Sequence, residues 1–150
     1  MSLKFILLGC GSSMGVPRPD GNWGKCNPKE SRNYRTRCSA LISGNNLNIL
    51  IDTSPDLRFQ LIKQKIKNIH NIIYSHLHAD QTHGINDVRV FYLKNKKKIN
   101  VYTNKATKKY LQNNFSYCFK KQSNYPPTLK LNSINKNLIF VDKNKKIHIK

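Results

Sequence analysis

The sequence predicts one α/β domain in which helices cover a layered β-sheet. Short runs of β-branched and apolar residues recur along the 150 residues, as they do in buried strands. The later runs alternate with segments that carry apolar residues at helical spacing. A chain of this length forms a single domain, residues 1–150, with a core of its own.

The first element is a predicted buried strand over residues 3–8, which a long loop follows. Five of the seven glycines lie in residues 9–24, so this loop needs unusual backbone dihedrals or a close approach to another group. Long loops in small domains are usually functional or disordered. We expect this one to line a pocket, with Trp23 as an apolar anchor near its end.

Three cysteines lie in and after this loop. One interpretation is a structural zinc site made by Cys10, Cys26 and Cys38. The other is ordinary thiols, which the lack of a compact Cys-x-x-Cys pair favours. No secretory signal precedes the four cysteines, so we expect reduced thiols and a cytoplasmic protein. The same stretch carries arginines that either meet a substrate phosphate or lie on a solvated loop, namely Arg32, Arg35 and Arg37.

A hairpin is predicted next, because apolar runs at residues 39–42 and 47–51 are separated by a turn signal. The second run ends at Asp52. A helix is then predicted from Pro55, with Thr53 or Ser54 as its cap. Its apolar residues recur at helical spacing, at Leu57, Leu61, Ile62 and Ile66.

The remainder of the chain continues the alternation of helices and strands. A short helix is predicted over residues 84–93, a strand over 99–102 and an amphipathic helix over 104–115. An aromatic, proline-containing stretch at residues 117–127 leads to weak strands at 138–141 and 147–149. This order of elements is typical of layered α/β folds.

The most informative segment is residues 72–84, a short apolar strand that stops at alternating histidines. In an extended or tightly turning segment His76 and His78 point to the same side, where two neutral imidazoles can bind one cation. Asp80 adds an oxygen ligand, and mixed nitrogen and oxygen ligands suit Zn²⁺, Mn²⁺ or Fe²⁺ better than Ca²⁺. The alternative is a set of polar residues on a surface loop, which the preceding strand, Asp80 and His83 disfavour.

The net charge of +20, from 27 basic and 7 acidic residues, has two interpretations. A basic surface binds nucleic acid or another polyanion. Here the excess is mostly lysine in diffuse runs without interleaved aromatic residues, which favours a solvated surface that still attracts anionic substrates. No apolar stretch approaches the length of a membrane span. The few acids are concentrated around the histidine segment, at Asp52, Asp56, Asp80 and Asp87.

Four segments resemble the metallo-β-lactamase-fold metal-dependent hydrolases, in the family's order. They are Gly-Cys-Gly-Ser-Ser at residues 9–13, Leu-Ile-Asp-Thr-Ser at 50–54, His-Leu-His-Ala-Asp at 76–80 and residues 83–89. The branch that the chain resembles includes the phosphoribosyl 1,2-cyclic phosphate phosphodiesterase. The resemblance implies an αββα layered sandwich. It also implies that the chain holds only the N-terminal half, because complete members are longer and take further ligands from a second half.

The resemblance also implies roles for the motif residues. His76 and His78 would hold a first metal ion, and Asp80 would hold a second ion and orient the attacking hydroxide. Asp52 would stand behind the ligands and steady their loop. One or two ions of Zn²⁺ or Mn²⁺ would activate water and stabilise the leaving oxygen of a phosphodiester.

One position departs from the family's pattern. Gln81 stands where the family commonly has a histidine on the second ion, and a neutral amide is a poor ligand for Zn²⁺ or Mn²⁺. The second site is therefore expected to be weakened or differently built, with Gln81 beside the ligands, and His83 is a candidate substitute ligand.

Three hypotheses follow for the function. The first is a metal-dependent hydrolase of small cyclic or diester phosphates. The second is a nuclease-like hydrolase that acts on RNA or DNA through the basic surface. The third is an inactive fragment, or a subunit that needs a second copy of itself or a complementing C-terminal chain to supply its missing ligands and to cover its apolar face and unpaired sheet edge.

Overall fold

The computed structural model describes residues 3–44, 46–134, 137–142 and 145–149. The strands are β1 (Lys4–Gly9), β2 (Ser39–Gly44), β3 (Leu47–Ile51), β4 (Asn71–Ile73), β5 (Ile99–Thr103), β6 (Leu129–Ser133), β7 (Leu138–Asp142) and β8 (Lys145–Ile149). The helices are α1 (Leu57–Lys63), α2 (Ala79–Thr82), α3 (Arg89–Asn95), α4 (Lys105–Asn114) and α5 (Ser116–Phe119). Single 3₁₀ turns lie at Ser31–Asn33 and Ile85–Val88.

A mixed sheet contains strands β1 to β6 in sequential order. β1, β2 and β3 pair antiparallel, whereas β3, β4, β5 and β6 pair parallel. The carboxyl ends of parallel strands meet at one edge of a sheet, which is where open α/β folds place their sites. The residues that follow β3 and β4 therefore lie side by side, and the Asp52 N–H donates to the Ile73 carbonyl at 2.9 Å.

One face of the sheet packs against the helices. Alternate residues of the central strands point to this face and are fully buried, among them Leu41, Leu50, Ile72 and Val101. The helices supply apolar partners to the same core, including Leu57 and Leu61 of α1, Phe91 of α3 and Leu111 of α4. This packing holds the strand ends in a fixed arrangement.

The opposite face is covered in part by the antiparallel β7–β8 hairpin. Phe140 of β7 meets Tyr102 edge to face, with ring centroids 5.2 Å apart, and packs in one cluster with Leu47 and Ile49. Toward β1 the same face is open: Phe5 is 62% exposed and Leu7 is 64% exposed. The prediction that residues 3–8 form a buried strand is therefore wrong for one side of β1, because β1 is an edge strand with one solvent-exposed face.

Most predicted elements are confirmed. The hairpin forms between β2 and β3, although its turn includes Asn45, which lies outside the described residues. The helix predicted over residues 104–115 is α4, and the Asn104 side chain accepts the Thr107 N–H at 2.9 Å as its cap. The sequence prediction omits β6, which the structure places parallel to β5. No helix among the described residues is long and apolar enough to cross a membrane.

The predicted start of the first helix is wrong. α1 begins at Leu57, and its N-cap residue Asp56 makes no side-chain capping bond. Ser54 Oγ instead accepts the Asp56 N–H at 3.1 Å, in the turn that precedes the helix. Thr53 Oγ1 lies 2.8 Å from the Tyr74 hydroxyl, so this side chain makes a tertiary hydrogen bond and does not cap the helix.

Candidate metal centre

The histidine motif begins two residues after a buried tyrosine. Tyr74 follows β4, is 1% exposed and hydrogen-bonds through its hydroxyl to Thr53. Burial raises the pKa of Tyr74 well above its usual range, so this phenol stays neutral and serves as an anchor. The next four residues form an exposed loop that carries the motif, and α2 begins at Ala79.

The structure brings His76 and His78 together. His76 Nε2 lies 3.1 Å from His78 Nδ1, and both side chains are exposed. Two nitrogens that bind one tetrahedral zinc ion at 2.0–2.1 Å lie roughly 3.3 Å apart. The two ring nitrogens therefore converge at nearly the spacing that a shared ion requires.

A chain of hydrogen bonds lies behind His76. Asp52 Oδ1 accepts the Ser75 N–H at 2.8 Å, and Asp52 Oδ2 accepts the Ser75 hydroxyl at 2.6 Å. Ser75 Oγ also lies 3.0 Å from His76 Nδ1. As long as Asp52 is ionised, the single hydroxyl proton goes to the carboxylate, so Ser75 Oγ accepts from an Nδ1–H. This arrangement leaves the lone pair of His76 on Nε2, the atom that faces His78.

The Asp52 backbone explains how its carboxylate reaches the motif. Asp52 adopts φ 59°, in the left-handed region, where the chain turns sharply after β3. The residue is 7% exposed, and burial raises the pKa of its carboxyl, while the hydrogen bonds from Ser75 act in the opposite direction. Asp52 therefore reaches His76 through Ser75, and its predicted role behind metal ligands stays a prediction.

Two backbone hydrogen bonds join the segment after β3 to α2. The Thr53 N–H donates to the Gln81 carbonyl at 2.7 Å, and the Gly84 N–H donates to the Thr53 carbonyl at 2.9 Å. A Cβ atom on Gly84 would overlap the Ser54 carbonyl oxygen, so only glycine allows this approach. The segment after β3 therefore clamps the motif at the C-terminal end of α2.

Asp80 and Gln81 contact each other. Gln81 Nε2 donates to Asp80 Oδ2 at 2.8 Å, which places Gln81 beside the candidate ligand as expected. The Gln81 Oε1 atom is buried, and within the described part of the chain it has no hydrogen-bond partner. One oxygen of Asp80 is thus already engaged by a neutral amide.

His83 has different neighbours. Its Nδ1 lies 3.1 Å from Thr82 Oγ1, and its ring meets Phe115 edge to face with centroids 5.5 Å apart. Across residues 3–44, 46–134, 137–142 and 145–149, no three His, Cys, Asp or Glu side chains are grouped so as to hold a metal ion. His83 as a substitute ligand stays a prediction, as does the ligand role of Asp80.

The histidine pair fits a metal ion, whereas the described residues bring no third ligand to it. Two imidazole nitrogens converge, and a carboxylate and a hydroxyl orient one of them, as second partners do in zinc sites. A zinc ion needs at least one further ligand or water to complete four-coordination. His76 and His78 are the residues that would hold the ion.

Sequence reasoning missed Ser75 and the Arg37–Asp56 pair. Arg37 donates to Asp56 from its backbone N–H at 2.8 Å, from Nε at 3.0 Å and from Nη2 at 2.6 Å. These bonds raise the pKa of Arg37, and the charge of Asp80 contributes a smaller increase. The signal for Ser75 was its place between a strand end and the first histidine.

A large cavity lies elsewhere. Its volume is about 730 Å³, and it lies between the turn at Ile85–Val88, α3 and the segment around α5. Its lining includes Asp87, Arg89, Tyr117 and Tyr125. The Tyr117 hydroxyl donates to Asn86 Oδ1 at 2.7 Å across one wall. The histidine pair is exposed at a separate surface.

Comparisons with known proteins agree with this architecture. Residues 47–149 match the family described as the beta-lactamase superfamily domain. An octanoyltransferase of Porphyromonas gingivalis is 31% identical over 141 residues, which is 92% of this chain and 28% of that protein. The chain thus spans less than a third of the length of that relative.

Solved structures show the same fold. A diphosphatase from the PhnP family is 25% identical, with a TM-score of 0.78 over 98% of this chain and 61% of that chain. Zn²⁺-bound PqqB from Methylobacterium extorquens is 18% identical, with a TM-score of 0.68 over 93% of this chain and 51% of that chain. The mixed sheet with flanking helices is the metallo-β-lactamase α/β fold, and the chain belongs to the beta-lactamase superfamily domain family.

Proposed function

We propose that this chain is a metal-dependent hydrolase of small phosphodiesters or diphosphates, with Zn²⁺ or Mn²⁺ held by His76 and His78. The observation that carries the proposal is the 3.1 Å convergence of His76 Nε2 and His78 Nδ1. Support comes from the similarity to a diphosphatase over 98% of the chain. The octanoyltransferase relative does not suggest octanoyl transfer here, because the chain matches only 28% of that protein.

Each residue of the site would have its own role in hydrolysis. A divalent cation at the histidine pair would lower the pKa of water and neutralise charge on the phosphoryl group. Ser75 and Asp52 would keep His76 in the tautomer whose Nε2 lone pair faces the ion. Asp80 would orient the attacking water and receive its proton, with Gln81 holding one of its carboxylate oxygens in place.

The charge of the chain supports an anionic substrate. The net charge is +20, and Arg37 is held by Asp56 within the electrostatic reach of Asp80. Asp56 balances the charge of Arg37, so the excess of the other basic side chains would supply the positive potential that attracts the substrate.

Metal content and hydrolysis test this proposal together. The purified chain, stripped with a chelator and reloaded with Zn²⁺ or Mn²⁺, should hold metal and hydrolyse bis(p-nitrophenyl) phosphate. His76→Ala and His78→Ala should each lose both properties. His148→Ala is the matched control, because His148 is an exposed histidine of β8. Full metal retention by both motif variants would refute the proposal.

A second candidate is hydrolysis of RNA or DNA, which the net charge of +20 favours. Binding that rests on phosphate contacts weakens steeply as salt increases, because counterions are released. Affinity for a single-stranded oligonucleotide measured from 50 to 200 mM salt should then fall by orders of magnitude. Absence of binding at the lowest salt would exclude this candidate.

A further inference from the structure

Cys10 and Cys38 lie on neighbouring backbone segments where the β1–β2 ladder ends. Gly9 pairs antiparallel with Ser39, and Gly11 forms an isolated parallel bridge with Arg37, so each cysteine lies between two residues that pair with neighbours of the other. Neighbouring strands lie about 4.7–4.9 Å apart. Disulfides form at Cα separations of about 4.4–6.8 Å.

The glycines on both sides of Cys10 allow this close approach. A Cβ atom on Gly9 would overlap the Arg37 carbonyl oxygen, and one on Gly11 would lie 2.7 Å from the Arg35 carbonyl oxygen. The Gly11 N–H donates to the Thr36 carbonyl at 2.8 Å. The backbone of Cys10 is therefore held against residues 35–37, which lead directly into Cys38.

Both thiols are exposed and have defined neighbours. Cys38 Sγ donates to the Gly11 carbonyl at 3.2 Å, one peptide unit from Cys10. Arg35 Nη1 donates to Cys10 Sγ at 3.0 Å, so a fixed positive charge touches that sulfur. A thiol in contact with a cation and open to solvent is the kind that reacts.

The pair also lies close to the candidate metal centre. Burial raises the pKa of the Cys38 thiol, and the charges of Asp80, Cys10 and Asp52 raise it further. Cys38 is thus within electrostatic reach of Cys10, Asp80 and Asp52. A covalent link between the cysteines would thus fix the strand ends beside Asp80.

We propose that Cys10 and Cys38 are a redox-active pair that a hydroperoxide converts to an intramolecular disulfide. This modification site does not depend on the proposed hydrolysis. Disulfides in reducing compartments are usually transient and redox-sensing, which fits two thiols that are free in the structure.

The chemistry balances with hydrogen peroxide as the oxidant. The Cys10 thiolate attacks one peroxide oxygen, the S–O bond forms as the O–O bond breaks, and hydroxide leaves. Cys38 then attacks the Cys10 sulfur, the S–S bond forms as the S–O bond breaks, and water leaves with the Cys38 proton. The two thiols lose two electrons, and the peroxide gains them.

Peptide mapping of the intact 150-residue chain tests the proposal. After treatment with hydrogen peroxide, the free thiols are alkylated and the chain is digested with trypsin without reduction. Lys25 and Arg37 separate the three N-terminal cysteines into different tryptic peptides, so each pairing has its own mass. We expect a Cys10–Cys38 cross-linked peptide, a fall in free thiols from four to two, and full reversal by dithiothreitol.

Two variants make the test specific. Cys26→Ser should leave the cross-link intact, because Cys26 lies outside the paired positions. Cys38→Ser should lose the cross-link and leave a Cys10 sulfenic acid that dimedone traps. Four free thiols after treatment of the folded wild-type chain, a Cys10–Cys26 link, or only intermolecular disulfides would each overturn the proposal.

Discussion

Replacing Ser75 by alanine tests whether the hydrogen-bond chain behind His76 controls metal binding. The hydroxyl donates to Asp52 at 2.6 Å and lies 3.0 Å from His76 Nδ1. The substitution removes both contacts, but it keeps the Ser75 N–H bond to Asp52 at 2.8 Å. The loop should therefore stay in place while the His76 ring loses its fixed tautomer and orientation.

The expected magnitude follows from these contacts. Loss of a hydrogen-bond partner behind a ligating histidine typically weakens metal affinity by about 10–100-fold. That loss corresponds to about 1.4–2.7 kcal/mol of binding free energy. The fold should lose about 1.5–3 kcal/mol as well, because the bond to the ionised carboxylate is charge-assisted. Both losses trace to a single hydroxyl group.

Competition against a chromophoric chelator measures the affinity for Zn²⁺ directly. Ser75→Ala should bind more weakly, and Ser75→Thr should restore binding because it keeps the hydroxyl. Ser133→Ala is the remote control. The Ser133 side chain is exposed, and among the described residues its hydroxyl accepts one hydrogen bond, from Lys108 Nζ at 3.2 Å. Wild-type affinity in Ser75→Ala, alongside lost affinity in His76→Ala, would show that the chain does not position the ligand.

Other perturbations give equally direct outcomes. Asp56→Asn removes the charged acceptor of Arg37 and should cost about 1.5–3 kcal/mol in thermal unfolding; no change would contradict it. Arg37 holds the pKa of Asp56 below the usual 3.8, so this stabilisation is present above pH 3.8 and is lost as the pH falls below it. Wild type should therefore lose stability faster than Asp56→Asn in acid, and parallel melting curves would argue against the linkage. Gly84→Ala should destabilise the fold by about 1–3 kcal/mol, because its Cβ would overlap the Ser54 carbonyl; an unchanged melting temperature would contradict the clamp. We propose that the open face of β1 mediates self-association, so Phe5→Thr combined with Leu7→Thr should reduce association in light scattering; equal association of both proteins would contradict this.

Local patterns predicted much of the sheet and the centre of the site. The apolar runs located β2, β3 and β5, because buried strands leave a short, continuous signal. The alternation of His76 and His78 predicted convergence, and the structure brings their ring nitrogens to 3.1 Å. Both results depend on residues that are near each other in the sequence.

The features that sequence reasoning missed depend on tertiary contacts. The open face of β1 follows from its place at the sheet edge, which its apolar residues do not reveal. The role of Ser75 requires Asp52, twenty-three positions away, to turn through φ 59° toward it. The sequence of β6 is Leu-Lys-Leu-Asn-Ser, in which apolar and polar residues alternate over too few positions to predict a strand. The strand is evident from its parallel pairing with β5.

The clamp between the end of β3 and α2 has a consequence for how the site assembles during folding. The Thr53 backbone hydrogen-bonds to Gln81 and Gly84, and its hydroxyl hydrogen-bonds to Tyr74. Each of these partners is 20 residues or more away in the sequence. Contacts of such separation form only after the intervening loop closes, which slows their appearance relative to local helices. The histidine pair should therefore become competent to bind metal late in folding, once β3 and β4 lie side by side. In a stopped-flow refolding experiment, zinc uptake should follow the final phase of compaction, and the bound ion should then stabilise the native state against unfolding.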